Sequence, residues 1–402
     1  MNRKDKNAFI VIFITIFIDL LGFGIIIPIL PDFADTVLRI DKSTIGILIG
    51  IYSLMQFVFT PVWGSLSDIY GRKPVLMISL AGNVISYFIA FLVLSGLYPS
   101  LILLIVSRAF AGLFSANLSA AQAVVSDITP KESRSKGMGI LGAAFGLGFV
   151  FGPALGGVLS QNFGYGVPIL LSGLFSLTAF ILAVTIFKET LPDSVRKQNR
   201  HDFKGVTIVN LRAVKDVIRN KKVGVYVIIF FFITFSFANI FGTFVLFAER
   251  SEGLALDKEQ VGFTLSFLGI VAAVVQLFFI KFFKNKIGEE KSIIYGNILV
   301  IAGLTLIPFA HTVPVLLMII ALLGFGNGLN NPMLFGLIST NVSAEEQGSV
   351  LGINQSLGSL ARFLGPVWGL FIYEYGFIYP FLSGGFVMLL ITIFSLRILK
   401  KN

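Results

Sequence analysis

The sequence predicts an all-α membrane protein with twelve transmembrane helices in two six-helix bundles. Composition is the first observation: 55% of the 402 residues are hydrophobic, only 13% are charged, and the mean hydropathy is +0.89. Soluble domains carry about 25% charged residues. The second observation is that the charges are absent from long apolar blocks, each near the roughly 20 residues that cross a bilayer. A hydrophilic stretch at 188–222 leaves six blocks on each side.

The predicted spans, in order, are 8–30, 45–66, 75–94, 101–125, 137–159, 167–187, 223–247, 261–280, 292–309, 313–338, 348–372 and 377–396. The first block is too long for a signal peptide, and it contains Asp19 and ends in a P-x-x-P sequence unlike a cleavage site. We therefore expect it to remain as a permanent span.

The domain boundaries follow from the hydrophilic stretch. We expect an N-terminal bundle at 1–187, a cytoplasmic linker at 188–222 and a C-terminal bundle at 223–402. Between Val206 and Val217, apolar residues recur at helical spacing among basic ones, which fits a short helix lying on the inner leaflet. A solvated linker fits the same pattern equally well.

Basic residues predict the orientation. With the N-terminus inside, the inner segments hold 25 Lys and Arg and the outer loops hold 4. Because positively charged loops stay in the cytoplasm, both termini are expected there, in a multi-pass protein of the cell membrane. The formal net charge of +10 is then a consequence of topology and not a sign of nucleic-acid binding.

The two halves share a motif. The sequence G-P-x-x-G at 152–156 recurs at 365–369, in spans 5 and 11. Internal repeats of about half the chain are typical of transporters whose two bundles move around a central site. A channel or a membrane enzyme has no need of such a repeat.

Several functions are excluded by residues that the sequence lacks. It has no Cys and only two His, which argues against a metal site and against thiol chemistry. It contains no phosphate-binding loop for ATP, and the G-x-G at 146–148 follows no strand. We expect no enzyme activity, no metal and no cofactor, and an ion gradient as the source of energy.

The loop between spans 2 and 3 reads G-S-L-S-D-I-Y-G-R-K-P, from Gly64 to Pro74. Gly71 permits a tight turn, while Asp68 and Arg72 can join neighbouring helix ends by ion pairs that must break when the bundles move. An ordinary positively charged inner loop is the alternative, but the spacing is too particular for it.

At this loop the chain resembles the major facilitator superfamily, and further motifs extend the resemblance. Arg108 opens an R-x-x-x-G sequence in span 4, and Asp19 lies in a D-L-L-G-F-G sequence similar to span 1 of drug:proton antiporters, most closely the tetracycline efflux pumps. The G-x-x-x-G-P-x-x-G-G pattern of proton-coupled antiporters is matched in span 5 by Gly148, Gly152, Pro153, Gly156 and Gly157.

The resemblance also implies residue roles. Asp68 would cap the start of span 11, near 345–348, and Arg72 would pair with Asp127 after span 4, closing the cytoplasmic side. Tetracycline pumps usually carry acids in spans 3 and 9, where this chain has none around Ser86 and Val300. That difference favours a broader multidrug role over tetracycline–metal chelates.

Charges inside spans are costly and their default interpretation is functional. Asp19 is the only acid within the twelve predicted spans, and Arg108 lies at a comparable depth. We predict that the pair couples protons to transport, although a static structural ion pair is the alternative. Arg362 either faces the cavity or bonds to carbonyls and to Asn354 or Gln355.

Polar uncharged residues mark a candidate path through the spans. With Asp19 and Arg362, the predicted cavity residues are Gln56, Asn117, Asn239, Gln276, Asn327 and Asn331. Most membrane amides merely bond neighbouring helices, so each alone is a weak signal. Abundant Phe in span 7 fits an apolar cavity for lipophilic cations, although lipid-facing Phe is a simpler explanation.

Together these observations predict a monomeric transporter that exports small lipophilic or cationic drugs or antibiotics in exchange for protons, by alternating access, with membrane lipids as its surroundings. A proton-coupled importer and a metabolite or lipid exporter remain alternatives on the same fold. A non-transporting receptor or scaffold would have no need of the gating loop and the buried charges.

Overall fold

The computed structural model describes residues 3–129, 134–201, 211–220, 223–343 and 346–399. Within these residues the secondary structure is entirely helical. The helices up to the linker are α1 (Arg3–Thr36), α2 (Lys42–Tyr70), α3 (Arg72–Leu94), α4 (Leu101–Phe114), α5 (Leu118–Ile128), α6 (Arg134–Phe163) and α7 (Gly166–Thr185). The fourth predicted span thus consists of two helices, α4 and α5.

The second half repeats this pattern after two short linker helices. Its helices are α8 (Asp193–His201), α9 (Leu211–Arg219), α10 (Gly224–Ala238), α11 (Ile240–Ala248), α12 (Lys258–Val274), α13 (Ile280–Ile287), α14 (Glu289–Leu306), α15 (Val313–Thr340), α16 (Gln347–Tyr373) and α17 (Tyr379–Leu399). A π-helical turn, Val275–Phe279, joins α12 to α13, and a 3₁₀ turn, Ile307–Phe309, follows α14.

The predicted all-α membrane fold is confirmed. Among the described residues, eleven helical segments are long and apolar enough to cross a membrane. The remaining predicted span corresponds to α16, which is also a long helix of 27 residues. Its amides and Arg362 make it more polar than the others, so it differs in composition and not in secondary structure.

The chain packs into two compact units. One contains Met1–Ile29 and Ile51–Val209, and the other contains Leu30–Gly50 and Asn210–Asn402. The second unit therefore includes the end of α1 and the start of α2 in addition to the C-terminal helices. The sequence-based domain boundaries at 187 and 222 stay a prediction.

Polar residues lie where the long helices are interrupted. Asn117 precedes α5 in the short break between α4 and α5, and Asn239 separates α10 from α11. Gln276 lies in the π-helical turn after α12. Interruptions of this kind free backbone groups and are frequent at functional sites in membrane helices.

The repeated glycine motif packs helices closely in both units. In α6, a Cβ at Gly152 would lie 2.7 Å from the Gly24 Cα of α1, and one at Gly156 would lie 2.3 Å from the Ile25 carbonyl oxygen. In α16, a Cβ at Gly365 would lie 2.7 Å from the Phe235 carbonyl oxygen. Since small residues allow helix backbones to approach, the motif joins the fifth span of each half to the first.

The linker is described only in part. The expected amphipathic segment begins at Val206, which lies outside the described residues, and its second part forms α9, Leu211–Arg219. No side chain of α9 is buried. A helix is therefore present here, and its contact with a membrane stays a prediction.

Candidate functional site

The carboxylate of Asp19 lies in a polar cluster inside the first unit. Asp19 is on α1 and is only 5% exposed. Its Oδ1 accepts a hydrogen bond of 2.8 Å from Asn83 Nδ2, and its Oδ2 accepts one of 3.1 Å from Asn117 Nδ2. In the described part of the chain Asp19 forms no ion pair. Two amides alone therefore hold its charge.

The cluster continues through hydroxyl groups. Asn117 Nδ2 also donates to Ser79 Oγ at 2.6 Å, and Ser115 Oγ donates to Asn83 Oδ1 at 3.2 Å. The Oδ1 atom of Asn117 is buried and has no hydrogen-bond partner within the described structure. The network thus connects α1, α3 and the α4–α5 break, and it retains one unused acceptor beside the carboxylate.

The break explains how Asn117 reaches Asp19. Ser and Asn side chains compete with helical backbone for hydrogen bonds, and α4 ends just before Ser115. Asn117 lies at the start of α5 without capping it. Its amide is consequently available to the neighbouring helices.

Arg108 lies elsewhere in the same unit and does not pair with Asp19. It is 2% exposed, and its guanidinium lies over the ring of Tyr52 at 5.1 Å from the centroid. Its Nε has no hydrogen-bond partner among the described residues. The static ion pair considered from the sequence is therefore not formed here. Buried Tyr87 interacts electrostatically with both charges.

Gln56 and three aromatic rings surround this arginine. Gln56 Nε2 donates to Tyr52 Oη at 3.2 Å and to the Ser115 carbonyl oxygen at 3.4 Å. The Phe23 ring lies 5.0 Å from that of Tyr52 and 5.8 Å from that of Phe149. The arrangement combines one cation, one amide and aromatic surface, which are groups able to contact an aromatic or polar organic molecule.

The predicted turn between α2 and α3 forms a network of charges. Gly71 has a φ of +105°, which disfavours residues with a side chain. Arg72 Nε lies 3.1 Å from Asp127 Oδ2, so the predicted pair is present. Arg72 Nη1 also donates to Asp68 Oδ1 at 2.5 Å and to Ser67 Oγ at 2.7 Å.

Glu189, which the sequence analysis missed, completes the turn. Its carboxylate accepts from the backbone N–H groups of Arg72 at 2.9 Å and Lys73 at 3.0 Å, the first two residues of α3. The N–H groups of Thr190 and Leu191 donate to it as well, each at 3.0 Å. An anion at a helix N-terminus is favoured. No sequence motif indicated this contact, because Glu189 is separated from the turn by more than 100 residues.

The predicted cap of span 11 by Asp68 stays a prediction. Residues 344 and 345, near the start of that span, lie outside the described residues. What the structure shows is that Asp68, whose side chain is 53% exposed, pairs with Arg72 one helical turn away.

The predicted polar residues of the second unit are dispersed. Asn239 Nδ2 donates to the Pro380 carbonyl oxygen at 2.6 Å, and Asn331 Nδ2 donates to Asn327 Oδ1 at 3.3 Å. Arg362 Nη2 donates to Ser359 Oγ at 2.9 Å, a partner that the sequence analysis did not foresee. Gln276 is exposed. Hence these side chains do not form a cluster comparable to that of Asp19.

The structure adds a second buried acid. Because α1 continues to Thr36, six residues beyond the predicted span, Asp32 belongs to the helix and is 5% exposed. Its Oδ2 lies 3.2 Å from Lys258 Nζ at the start of α12. The expectation that Asp19 is the only acid in the spans is therefore wrong for the helices as they form. The P-x-x-P sequence did not end the helix.

Comparison with known proteins identifies relatives over almost the whole chain. The sequence model described as Major Facilitator Superfamily matches residues 12–366 and 227–402. A tetracycline resistance protein, class G, from Vibrio anguillarum is 30% identical over 364 residues, covering 90% of this chain and 89% of the relative. Multidrug resistance protein 2 from Bacillus subtilis (strain 168) is 29% identical over 394 residues, covering 96% of this chain and 94% of that protein.

A solved structure shows the same fold. The crystal structure of the human organic anion transporter MFSD10 (TETRAN) superposes with a TM-score of 0.72 at 23% identity, covering 97% of this chain and 99% of that one. At this identity the likeness concerns the fold alone.

Proposed function

Since the chain belongs to the Major Facilitator Superfamily and is a multi-pass membrane protein, we propose that it exports small lipophilic or cationic compounds from the cell in exchange for protons. Relatives named for tetracycline and multidrug resistance support a transport function. The observation that carries the coupling is Asp19, a buried carboxylate held by two amides.

Protonation would rearrange this cluster. The charged carboxylate accepts from both amides, whereas a protonated one carries a donor that one Nδ2 group cannot accept. Rotation of the Asn117 amide would turn its unused Oδ1 toward the new proton and break the bond to Ser79. A proton on Asp19 thereby changes contacts among three helices and removes the charge that attracts a cationic substrate.

Exchange follows from competition for one carboxylate. A substrate that contacts the charged form of Asp19 and a proton that neutralises it favour different states of the site, and differential affinity is what shifts a conformational equilibrium. In the proposed cycle the proton enters from outside and releases the substrate there, and its loss to the cytoplasm restores the charged site.

The cytoplasmic turn is proposed as the gate. Its ion pairs, from Arg72 to Asp68 and Asp127, lie between helix ends and are accessible enough to break. Both termini and the linker are proposed to be cytoplasmic, from the 25 to 4 division of basic residues. No cofactor and no enzyme activity belong to the proposal.

One observation favours a second substrate class. Buried Arg108 has no carboxylate partner among the described residues, and a buried charge without a counter-ion is costly. A substrate with an anionic group would supply that counter-ion. Export of organic anions is accordingly the alternative to export of cations.

The test is flux into proteoliposomes under an imposed pH gradient, with cationic dyes, anionic dyes and tetracycline as probes. Proton-coupled export predicts that one class accumulates against its gradient and that collapse of the pH gradient abolishes accumulation. Equal flux with and without the gradient would reject the coupling, and flux of no probe would reject this range of substrates.

A further inference from the structure

A cluster of charged groups outside the Asp19 site lies at the docking surface of one hairpin. We define the outer hairpin as Leu30–Gly50, the end of α1, the following loop and the start of α2, all within the second unit. Ser43 donates to Glu374 Oε1 from its backbone N–H at 3.0 Å and from Oγ at 2.7 Å. Asp32 pairs with Lys258. The outer hairpin is thus fastened to the ends of α12 and α16.

Apolar packing continues this contact along the start of α2. A Cβ at Gly46 would lie 2.8 Å from the Pro366 carbonyl oxygen of α16, and one at Gly50 would lie 2.8 Å from that of Phe363. On the other side, a Cβ at Gly242 of α11 would lie 2.7 Å from Ile49 Cδ1. The hairpin is therefore in direct contact with the helices behind it.

Glu249 lies in this contact with too few partners. It follows the last residue of α11, and its Oε1 is buried without a hydrogen-bond partner among the described residues. Asp32 and Asp35 of the outer hairpin both interact with it unfavourably, and Lys258 is the cation that interacts favourably. Lys258 is already paired with Asp32, so it is shared between two carboxylates.

The other charged groups nearby do not neutralise Glu249. Lys42, at the start of α2, pairs with Asp35. Arg250 lies over the Phe377 ring at 3.5 Å and reaches Glu252 at 3.6 Å. At the end of α16, Tyr373 interacts with Arg250 and Asp35, and Glu374 accepts from Ser43.

We propose that Glu249 is a second proton-binding site of the transporter, and that its protonation holds the outer hairpin against α11, α12 and α16. The inference rests on the proposed function, which places this end of the helices outside the cell. When Glu249 is charged, three carboxylates share the docking surface, and their repulsion favours release of the hairpin.

The direction of the pH effect follows from the docked state. Burial, together with the charge of Asp32, raises the pKa of Glu249 from 4.5 to about 8. In the released state the side chain is in water, where its ordinary value returns. The docked form therefore binds the proton more tightly, so docking is favoured fully below pH 4.5 and is weakened as the pH rises through about 8.

This gives the incoming proton a second effect. An acidic exterior would protonate Glu249 and close the outer hairpin, while the same proton gradient acts on Asp19. Closure of the outside would then follow proton uptake, which is the order that exchange requires.

The test uses the absence of native Cys. A single Cys at Ile49, which is 9% exposed against Gly242, is labelled from outside with an impermeant thiol reagent across pH 5 to 9 without substrate. Each rate is divided by that of a Cys at exposed Ser251, which removes the pH dependence of the thiol itself. One proton predicts that this ratio rises toward about tenfold per pH unit and levels off above pH 8.

Two variants decide the interpretation. Glu249→Gln mimics the protonated form and should keep the ratio low at every pH, whereas Glu252→Gln, an exposed acid in the same loop, should reproduce the parent profile. A pH-dependent ratio that persists unchanged in Glu249→Gln, or one that is flat in the parent, would overturn the proposal. Because no transport is measured, a failure of proton-coupled export would leave the labelling result standing, and the reverse.

Discussion

The carboxylates of this protein differ in what faces them, and this determines what each can do. Asp19 faces two amides, Asp127 faces a guanidinium, Glu189 faces four backbone N–H groups and Glu249 faces two other carboxylates. Only groups held without a fixed cation are free to exchange a proton at modest cost. Asp19 and Glu249 are consequently the candidates for coupling, while Asp127 and Glu189 hold structure.

For Asp19→Asn we expect loss of proton-driven accumulation with part of the downhill flux retained. The amide preserves shape and some hydrogen bonding but cannot titrate. The stimulation of flux by a pH gradient should fall at least about tenfold, the effect of losing roughly 1.4 kcal/mol of coupling, and it is measured in proteoliposomes.

Asp216→Asn, in α9 of the linker, is the matched control and should keep the parent's stimulation. If Asp19→Asn responded to the gradient as strongly as the parent, Asp19 would lose its coupling role and Asp127 or Glu249 would have to carry it.

For Gly71→Ala we expect destabilisation of about 1–3 kcal/mol, the cost of holding a side chain in a disfavoured backbone region. The new Cβ would also displace the Glu189 carboxylate from the start of α3. Thermal unfolding in detergent measures the loss. Gly96→Ala is the informative comparison, because its φ of +81° is also positive but nothing lies within 4 Å of the added atom. Equal destabilisation of both variants would show that the Glu189 contact contributes nothing.

Residue-scale prediction from sequence succeeded where a charge lies inside an apolar block or in a recognisable loop. Asp19 and the Arg72–Asp127 pair could be identified in this way. Asn83 could not, because an uncharged amide among apolar residues gives little signal, and Glu189 could not, because its partners are backbone groups that no side-chain pattern marks. Asp32 was missed because its helix extends past two prolines.

At the scale of helices, the informative features are interruptions and close approaches. The sequence predicted α4–α5 and α10–α11 as continuous apolar spans, since hydropathy does not register a short break. The breaks at Asn117 and Asn239 depend on tertiary contacts, to Asp19 in one case and to Pro380 in the other. The glycine motif, by contrast, was visible in sequence, and it is found at the contacts of α6 with α1 and of α16 with α10.

We expect Gly156→Ala to push α6 away from α1, because the added Cβ would meet the Ile25 carbonyl oxygen, and backbone cannot move aside as a flexible side chain can. Overpacking of this kind costs about 1–3 kcal/mol, which thermal unfolding would register together with reduced transport. Gly146→Ala on the same helix has nothing within 4 Å and should be neutral or slightly stabilising. Similar losses in both variants would refute the packing role of the motif.

At the scale of the whole molecule, the distribution of basic residues predicts the topology. A Cys introduced at Ser194 should react with an impermeant reagent only from the cytoplasm, and one at Ser251 only from outside. Both serines are exposed in the structure, and the chain has no native Cys to interfere. The reverse pattern would invert the direction of transport proposed here.

The outer hairpin has a consequence for protein engineering. A cut in the linker, where a designer would divide the halves, separates Leu30–Gly50 from the helices it packs against, because the second unit is assembled from two stretches of sequence. Chimeras that exchange N-terminal halves between relatives would therefore mismatch Gly46 and Gly50 with a foreign α16. Chimeras that carry the hairpin along with the C-terminal half keep this interface intact and form the better starting point for exchanging substrate preference.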